Sequence, residues 1–259
     1  MARMVNYTMP LILGWDVSGV VEKTGPLVRR FKSGDDVFCR PATSRNGAYA
    51  EYVAVRSFEL AHAPKSIPLY QAAGFPLASQ AAWMALFEVG GLKQDQSVLI
   101  HGGSGGVGSF AIQLAKIARA GRIVTTTSGR NSAMVKSLGA DEVIDYTKED
   151  FSEKLHDLDL VFDTLGGETQ AKSFNVLRKG GTLVSSVGAD EKAASAHGVL
   201  GKSFMLDSNG ARLQEIAELI DLGKLNVVIE KEFPLSEAKA AQDLSQSGHV
   251  NGKIILKVI

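Results

Sequence analysis

Three glycines at a characteristic spacing give the clearest chemical signal in this chain of 259 residues. Gly103, Gly105 and Gly108 follow directly after the apolar run 97–101. In a G-x-G-x-x-G pattern the first glycine permits a tight turn, the second lets a pyrophosphate approach the backbone, and the third lets a helix pack on the strand. We predict that this loop binds a dinucleotide through Gly103, Ser104, Gly105, Gly106 and Val107, with a purely structural turn as the alternative.

A second polar group follows the next predicted strand, 122–127. An NAD-specific enzyme places a carboxylate at this strand end, where it accepts hydrogen bonds from the ribose hydroxyls. This chain reads Ser128-Gly129-Arg130 instead, and no acid is available there. A hydroxyl and a guanidinium suit the dianionic 2′-phosphate of NADPH. Ser128 and Arg130 therefore predict an NADPH site, and the alternative is a polar turn with a solvated arginine.

The elements that must position these residues alternate between strand and helix. Buried apolar runs predict strands at 97–101, 122–127, 142–146, 158–163, 182–188 and 202–205. Amphipathic stretches predict helices from residue 109 onward and at 133–138, 168–177 and 210–221. This alternation is typical of an α/β fold with a Rossmann doubly wound parallel sheet.

The composition excludes several other classes of function. The 28 basic residues balance the 28 acidic ones, so neither nucleic acid nor an anionic membrane is an expected partner. Apolar stretches long enough to span a membrane are absent from the sequence, as is a secretory signal pattern. Cys39 is the single cysteine, which excludes intrachain disulfides and a four-cysteine zinc site. We expect a soluble, cytoplasmic protein.

The first part of the chain predicts a small β-rich domain. Short β-like runs at 16–22, 36–39 and 48–55 alternate with glycine turns. Three motifs stand in this part: Pro10-x-Ile12-Leu13-Gly14-x-Asp16-x-x-Gly19, Phe31-Lys32-x-Gly34-Asp35-x-Val37 and Gly47-Ala48-Tyr49-Ala50-Glu51-Tyr52.

These motifs resemble the zeta-crystallin-type quinone oxidoreductases of the medium-chain dehydrogenase/reductase superfamily, which carry them in a GroES-like catalytic domain. Segment 210–219 is similar to the reticulon-interacting, mitochondrial-type branch. The resemblance covers nearly the whole chain. It implies a partial GroES-like domain at 1–76, rejoined by 230–259, and a Rossmann NADPH-binding domain at 77–229.

The resemblance also adds residues to the expected cofactor site. It implies that Tyr146 lies beside the 2′-phosphate, Leu165 and Gly166 along the adenine-ribose side, and Val187 near the nicotinamide. Phe204 and Lys253 are further cofactor contacts in this view. Plain structural roles remain open for a surface Tyr146, a core Phe204 and a solvated Lys253. The family often dimerises through the edge of the nucleotide-binding sheet, so a homodimer is expected.

Two features depart from the family pattern, and a third separates the chain from zinc-dependent relatives. Family members begin well before this sequence does, which predicts an incomplete wall beside the nicotinamide. Ala81 replaces a threonine that reaches the cofactor in the family. Trp15 stands where zinc-dependent relatives carry a histidine, and with Cys39 as the lone thiol the resemblance implies an enzyme without zinc. Trp15 lines the substrate cleft or packs in the core, and Cys39 is expected to be a small buried residue.

Two polar residues at strand ends are expected to be structural. His101 ends the first strand of the sheet, where the family tolerates a histidine without chemistry. Asp163 ends strand 158–163, and acids at such positions often cap the following turn. The sequence offers no convincing general acid, so catalytic residues stay unassigned.

Together these features predict a zinc-independent, NADPH-dependent reductase that transfers hydride to a quinone or an α,β-unsaturated carbonyl. Such chemistry needs mainly orientation, because the cofactor carries the hydride. The alternative is an NADPH-binding sensor or interaction protein with little turnover, motivated by Ala81 and the late start of the sequence. The expected compartment becomes mitochondrial if a transit peptide precedes this sequence.

Overall fold

The computed structural model describes residues 9–258, which form two compact units. The first unit contains residues 9–80 and 207–258, and the second contains residues 81–206. Two runs of chain therefore make up the first unit, and one continuous run makes up the second. Within the described residues, none of the helices is long and apolar enough to cross a membrane.

The first unit begins with a small antiparallel sheet. Its strands, in the order β1-β2-β3, are β1 (Val17–Val20), β2 (Asp36–Cys39) and β3 (Leu60–His62). The helices that follow are α1 (Leu69–Ala72) and α2 (Pro76–Trp83). The last residues of α2 and the π-helical turn after it, Met84–Val89, already belong to the second unit. The predicted β-rich character of this part is confirmed.

The predicted strand at 48–55 is wrong. These residues form bends and irregular backbone. Their neighbourhood is held by loop hydrogen bonds, in which the N–H groups of Gly47 and Tyr49 donate to the carbonyls of Ile12 and Leu13 at 2.7 and 2.9 Å. Backbone hydrogen bonds to another loop therefore replace the regular pairing of a β-strand here. The alternation of apolar and polar side chains does not show whether a strand partner exists.

The second unit is built on one parallel sheet of six strands. They are β4 (Ser97–His101), β5 (Arg122–Thr127), β6 (Glu142–Asp145), β7 (Leu158–Asp163), β8 (Leu177–Ser185) and β9 (Leu200–Ser203). The helices are α3 (Gly106–Ile117), α4 (Ser132–Leu138), α5 (Gly167–Ser173) and α6 (Glu191–Ala196).

Short 3₁₀ turns occur in both units. They lie at Ser57–Glu59, Gly129–Asn131, Phe151–Glu153, Phe174–Val176 and Leu235–Glu237.

The strand order β6-β5-β4-β7-β8-β9 confirms the predicted doubly wound Rossmann sheet. The order reverses between β4 and β7, and ligands of such sheets bind beyond the carboxyl ends of the strands at this switch point. Both faces of the sheet are covered, so β4 buries three consecutive apolar residues, Val98, Leu99 and Ile100. Each fully buried side chain of this size stabilises the fold by about 1.5–3 kcal/mol.

Several strand ends differ from the prediction by a few residues. Strand β6 ends at Asp145 and β9 at Ser203, so Tyr146 and Phe204 lie just beyond their strands. Strand β8 begins at Leu177, directly after the 3₁₀ turn that ends the α5 segment. Side chains immediately after a parallel strand stand at the edge of the sheet where ligands bind.

The first unit is completed by the C-terminal part of the chain. It contains α7 (Gly210–Asp221), β10 (Ile229–Pro234), α8 (Ala238–Gln246) and β11 (Lys253–Lys257), with β10 and β11 paired in parallel. Helix α7 packs so closely on β3 that a methyl group on Gly210 would overlap the carbonyl oxygen of Leu60. This packing groups residues 207–229 with the first unit, whereas the sequence-based division groups them with the Rossmann domain.

Candidate cofactor site

The glycine loop between β4 and α3 forms a tight turn. Gly102 adopts a positive φ of 69°, and its carbonyl accepts the N–H of Gly105 at 3.0 Å. The N–H of Gly103 donates to the carbonyl of Thr126 at 3.1 Å, which ties the loop to β5. The left-handed residue of the turn is therefore Gly102, which directly precedes the first glycine of the pattern.

Gly103 and Gly108 are required for close packing instead. A methyl group on Gly103 would overlap the hydroxyl of Thr125, and one on Gly108 would overlap the carbonyl oxygen of Gly102. At Gly108 the start of α3 lies against the turn that follows β4, whereas the prediction for the third glycine was packing of the helix on the strand itself. Gly105 is the N-cap residue of α3 and has an extended backbone. Because glycine has no side chain, no capping group covers the backbone amides of the first helical turn. This is the geometry that holds a phosphate.

A buried hydrogen-bonded chain supports the loop from below. The hydroxyl of Thr126 accepts the N–H of Gly102 at 3.3 Å and lies 3.0 Å from Nδ1 of His101. Nε2 of His101 lies 2.9 Å from the hydroxyl of Ser173, which donates to the carbonyl of Thr169 at 2.6 Å. These partners assign the Nε2–H tautomer, in which Nε2 donates and Nδ1 accepts.

Burial lowers the pKa of His101 to about 4, against a smaller opposing effect of the nearby Asp163. The ring is therefore neutral at pH 7. Both ring nitrogens have partners, and the ring packs edge-on against Phe151 at a centroid distance of 4.7 Å. The predicted structural role of His101 is confirmed.

Asp163 caps the turn after β7, as predicted. Its carboxylate is fully buried and accepts the N–H groups of Leu165 and Gly166, both at 2.9 Å. It also accepts from Nε2 of Gln170 at 2.6 Å and from the hydroxyl of Ser185 at 2.9 Å. Four donors thus satisfy the buried charge, and the backbone of Leu165 and Gly166 is fixed at the sheet edge.

The residues predicted to bind the 2′-phosphate lie at the ends of β5 and β6. Ser128 directly precedes the turn Gly129–Asn131, which carries an exposed Arg130. The N–H of Tyr146 donates to the carbonyl of Thr127 at 3.3 Å, and the Tyr146 side chain is 60% exposed. The structure therefore brings Ser128, Arg130 and Tyr146 to one edge of the sheet. The hydroxyl of Thr127 donates to that of Ser104 at 2.9 Å, which links this edge to the glycine loop.

One acid reaches this turn from the neighbouring strand. Asp145 pairs with Thr127 in the parallel register of β5 and β6, and its carboxylate accepts the N–H of Gly129. A methyl group on Gly129 would overlap Oδ2 of Asp145. The expectation that no acid is available here is wrong, because it considered only the strand that leads into the turn. Asp145 reaches the turn because β6 pairs with β5 in this register, and no pattern within either segment indicates that pairing.

Other predicted contacts lie at the ends of β7, β8 and β9. A methyl group on Gly166 would stand 3.1 Å from the side chain of Val187, so these two residues are neighbours. Leu165 and Val187 are each more than half exposed. The ring of Phe204 is 6.5 Å from that of Phe162, centroid to centroid. These residues frame the same edge of the sheet as the glycine loop.

Lys253 belongs to the first unit. Its Nζ forms an ion pair with Asp16 at 2.9 Å, and Asp16 also accepts the N–H of Leu77 at 2.6 Å. Cys39 is fully buried in the same unit, and burial raises the pKa of its thiol. Across residues 9–258 no cluster of three histidine, cysteine or acidic side chains is arranged to hold a metal ion.

Two family models match the chain. The alcohol dehydrogenase GroES-like domain matches residues 1–65, and a model described as zinc-binding dehydrogenase matches residues 138–256. Together these matches agree with the GroES-like and Rossmann parts expected from the sequence.

Individual relatives match over nearly the whole chain. The mitochondrial NAD(P)H oxidoreductase RTN4IP1 of Mus musculus is 37% identical over 96% of this chain and 71% of its own length. The chloroplastic NADPH-dependent alkenal/one oxidoreductase of Arabidopsis thaliana is 35% identical over 98% of this chain and 66% of its own length. The quinone oxidoreductase structure from Coxiella burnetii superposes with a TM-score of 0.92 at 34% identity, covering 97% of this chain and 80% of that chain.

Proposed function

Because the chain belongs to the quinone-oxidoreductase-like group of the medium-chain dehydrogenase/reductase superfamily, we propose that it is an NADPH-dependent reductase. Its substrate is a quinone or an α,β-unsaturated carbonyl, which are the substrate types in the names of similar proteins. The observation that carries the proposal is the single sheet edge that holds the glycine loop, Ser128 and Arg130. This edge offers backbone amides to a pyrophosphate and a hydroxyl with a guanidinium to a 2′-phosphate.

The shape of the loop supports a dinucleotide. Gly103 and Gly108 leave no room for side chains, so the loop packs closely on the sheet. Residues 104–107, between these two buried glycines, are partly exposed, and no side chain caps the start of α3. Gly103, Ser104, Gly105, Gly106 and Val107 would hold the pyrophosphate. Leu165, Gly166 and Val187 would contact the ribose and nicotinamide portions along the ends of β7 and β8. Tyr146, Phe204 and Lys253 stay predicted cofactor contacts.

The bound cofactor supplies the hydride for the reduction. The residues of this chain bind and orient: the loop fixes the phosphates, and Asp163 fixes the turn that carries Leu165 and Gly166. Orientation alone supplies a large part of a rate enhancement when the reacting atoms are held in contact. We assign no protein side chain as proton donor.

We further propose that the reaction needs no zinc. The family resemblance implies that Trp15 stands at the position of the zinc-binding histidine in zinc-dependent relatives. Cys39 is a buried thiol whose raised pKa disfavours the thiolate that binds metal. Activity should survive dialysis against a strong chelator, with less than one zinc per chain by elemental analysis. Loss of activity in chelator and its return with added zinc would contradict this.

The test of the reductase is direct. Purified protein is mixed with NADPH and a panel of benzoquinones, naphthoquinones, 2-alkenals and vinyl ketones, and NADPH absorbance is followed. We expect oxidation with at least one class, and loss of oxidation in Gly108→Val, in which the side chain collides with the loop. If no member of the panel is reduced, the proposed enzyme activity is refuted.

Ala81 motivates a second candidate, a protein that binds NADPH with little turnover. The residue is buried and offers no hydroxyl to a cofactor. Calorimetry showing tight NADPH binding without oxidation in the panel would favour this candidate. Under the reductase proposal Ala81→Thr changes the rate of an activity that already exists, whereas under the sensor candidate no rate is measurable in the parent protein.

Assembly and compartment also stay predictions. The family often dimerises through the edge of the nucleotide-binding sheet, so we expect a homodimer formed through the edge of the six-stranded sheet. Light scattering of the purified protein tests this expectation. The compartment is cytoplasmic, or mitochondrial if a transit peptide precedes the sequence. Fluorescence imaging of the full-length gene product distinguishes the two.

A further inference from the structure

A charge pair lies behind the turn that carries Ser128 and Arg130. Oδ2 of Asp145 lies 3.4 Å from Nζ of Lys148, three residues further along the chain. The carboxylate is mostly buried, whereas the lysine side chain is mostly exposed. Lys148 was not among the residues that the sequence pattern singled out.

The carboxylate of Asp145 accepts hydrogen bonds from its own loop and from the turn after β5. Oδ1 accepts the N–H of Thr147 at 3.1 Å and its hydroxyl at 2.7 Å. The same side chain accepts the N–H of Gly129 and lies beside Lys148. Its acceptors are therefore engaged by protein donors, and an acid that would otherwise favour the ribose hydroxyls of NADH is left with its charge alone.

That charge would repel a 2′-phosphate bound at the same turn. A dianion close to an uncompensated carboxylate is disfavoured, and the repulsion is strongest where solvent is partly excluded. The ammonium group of Lys148 offsets this repulsion, because it lies next to the same turn. Its Nζ is 3.8 Å from the position that a Cβ on Gly129 would take. Lys148 thus stands within reach of a group held by the residues on either side of Gly129.

We propose that Lys148 is a specificity-determining residue, which neutralises Asp145 and presents a second cation, beside Arg130, to the 2′-phosphate of the cofactor. This inference rests on the proposed function. In this proposal the preference for NADPH depends on two features. One is the neutralisation of Asp145, at the end of β6, by Lys148, and the other is the pair Ser128 and Arg130 in the turn itself. With Lys148 the Asp145, Lys148 and Arg130 set carries one net positive charge, and without it the set is neutral.

The experiment compares Lys148→Gln with a matched control, Lys154→Gln. Lys154 is an exposed lysine in the same segment that forms an ion pair with Glu149 at 2.9 Å. Calorimetry measures NADPH, NADH, 2′,5′-ADP and 5′-AMP binding to each protein at two salt concentrations. Lys148→Gln should weaken NADPH and 2′,5′-ADP on the order of tenfold, because it removes one charge-assisted contact and exposes Asp145. NADH and 5′-AMP should change by less than about twofold.

Two further results complete the test. Lys148→Arg keeps the positive charge, so its NADPH affinity should match that of the parent protein. The salt dependence of NADPH binding should be shallower in Lys148→Gln than in the Lys154→Gln control. Unchanged NADPH affinity in Lys148→Gln, or an equal loss for NADPH and NADH, would overturn the role of Lys148 while leaving the proposed reductase intact. A parent protein that binds NADPH no more tightly than NADH would instead refute the NADPH preference itself, and the assignment of Lys148 would fail with it.

Discussion

The hydroxyl of Thr126 lies 3.0 Å from Nδ1 of His101 while it accepts the N–H of Gly102. One hydroxyl thus joins a fully buried imidazole at the end of β4 to the first residue of the glycine loop. The loop owes its shape to this support as well as to its glycines. Removing the imidazole should therefore act on the fold and on the loop together.

We expect His101→Leu to lower the free energy of unfolding by about 2–4 kcal/mol. The substitution leaves the hydroxyl of Thr126 without the acceptor Nδ1 and removes the donor to Ser173, and each buried unsatisfied group costs about 1–3 kcal/mol. Urea denaturation measures the loss. His156→Leu is the control, because that histidine is exposed and should change stability by less than about 0.5 kcal/mol. Equal stabilities of the two variants would contradict the supporting role.

The pKa of His101 predicts how stability depends on pH. Burial lowers it from 6.5 to about 4 in the folded protein, so between these values the unfolded chain binds a proton that the native state excludes. Stability therefore rises with pH through this window and is lost on acidification from about pH 6.5 towards pH 4, by on the order of 3 kcal/mol for this group. His101→Gln should flatten the slope of unfolding free energy against pH between 5 and 6.5. A slope identical to that of the parent would contradict this.

The sequence predicts the sheet well because buried parallel strands are continuous apolar runs. Strands β4, β5 and β7 have the bounds that were predicted for them, and each contains buried apolar residues at its centre. The irregular segment 48–55 resembles a strand in composition, but its hydrogen bonds go to another loop, and alternation cannot report a partner.

The candidate site was predictable where one segment carries the chemistry, as at the glycine loop and Ser128-Gly129-Arg130. It was not predictable where two segments meet. Asp145 reaches Gly129 because β6 pairs with β5 in a register that places Asp145 beside Thr127. Strand order and register come from packing of the whole sheet, and no local pattern encodes them.

Gly108→Ala should destabilise the second unit by about 1–3 kcal/mol and weaken NADPH binding. The new methyl group would overlap the carbonyl of Gly102, so α3 or the loop must move, and overpacking of this kind has that cost. Gly105→Ala is the comparison for stability, since its methyl group would meet the same carbonyl at 3.3 Å. In thermal and urea unfolding without cofactor, Gly108→Ala should be clearly less stable than Gly105→Ala. The reverse order of stabilities would refute the packing role of Gly108.

Arg130→Gln should narrow the preference for NADPH over NADH. A charge-assisted hydrogen bond is worth about 1.5–3 kcal/mol, so NADPH should bind on the order of 10- to 150-fold more weakly, with NADH little changed. Calorimetric titration of both cofactors measures the ratio. Lys136→Gln, an exposed lysine on α4, controls for a general change in surface charge. An unchanged ratio in Arg130→Gln would exclude a contact between Arg130 and the 2′-phosphate.

Asp163→Asn should reduce both stability and cofactor affinity. An amide in place of the carboxylate points an N–H₂ group at one of the four donors that now converge on Asp163, which leaves buried donors facing each other. Loss of such an acceptor costs about 1–3 kcal/mol for each unsatisfied group. The turn that carries Leu165 and Gly166 should loosen, and hydrogen exchange of these two amides should accelerate well beyond that of β4. Asp157→Asn, at an exposed position, is the control. Unaltered exchange at Leu165 and Gly166 in Asp163→Asn would show that the turn holds its shape without this carboxylate.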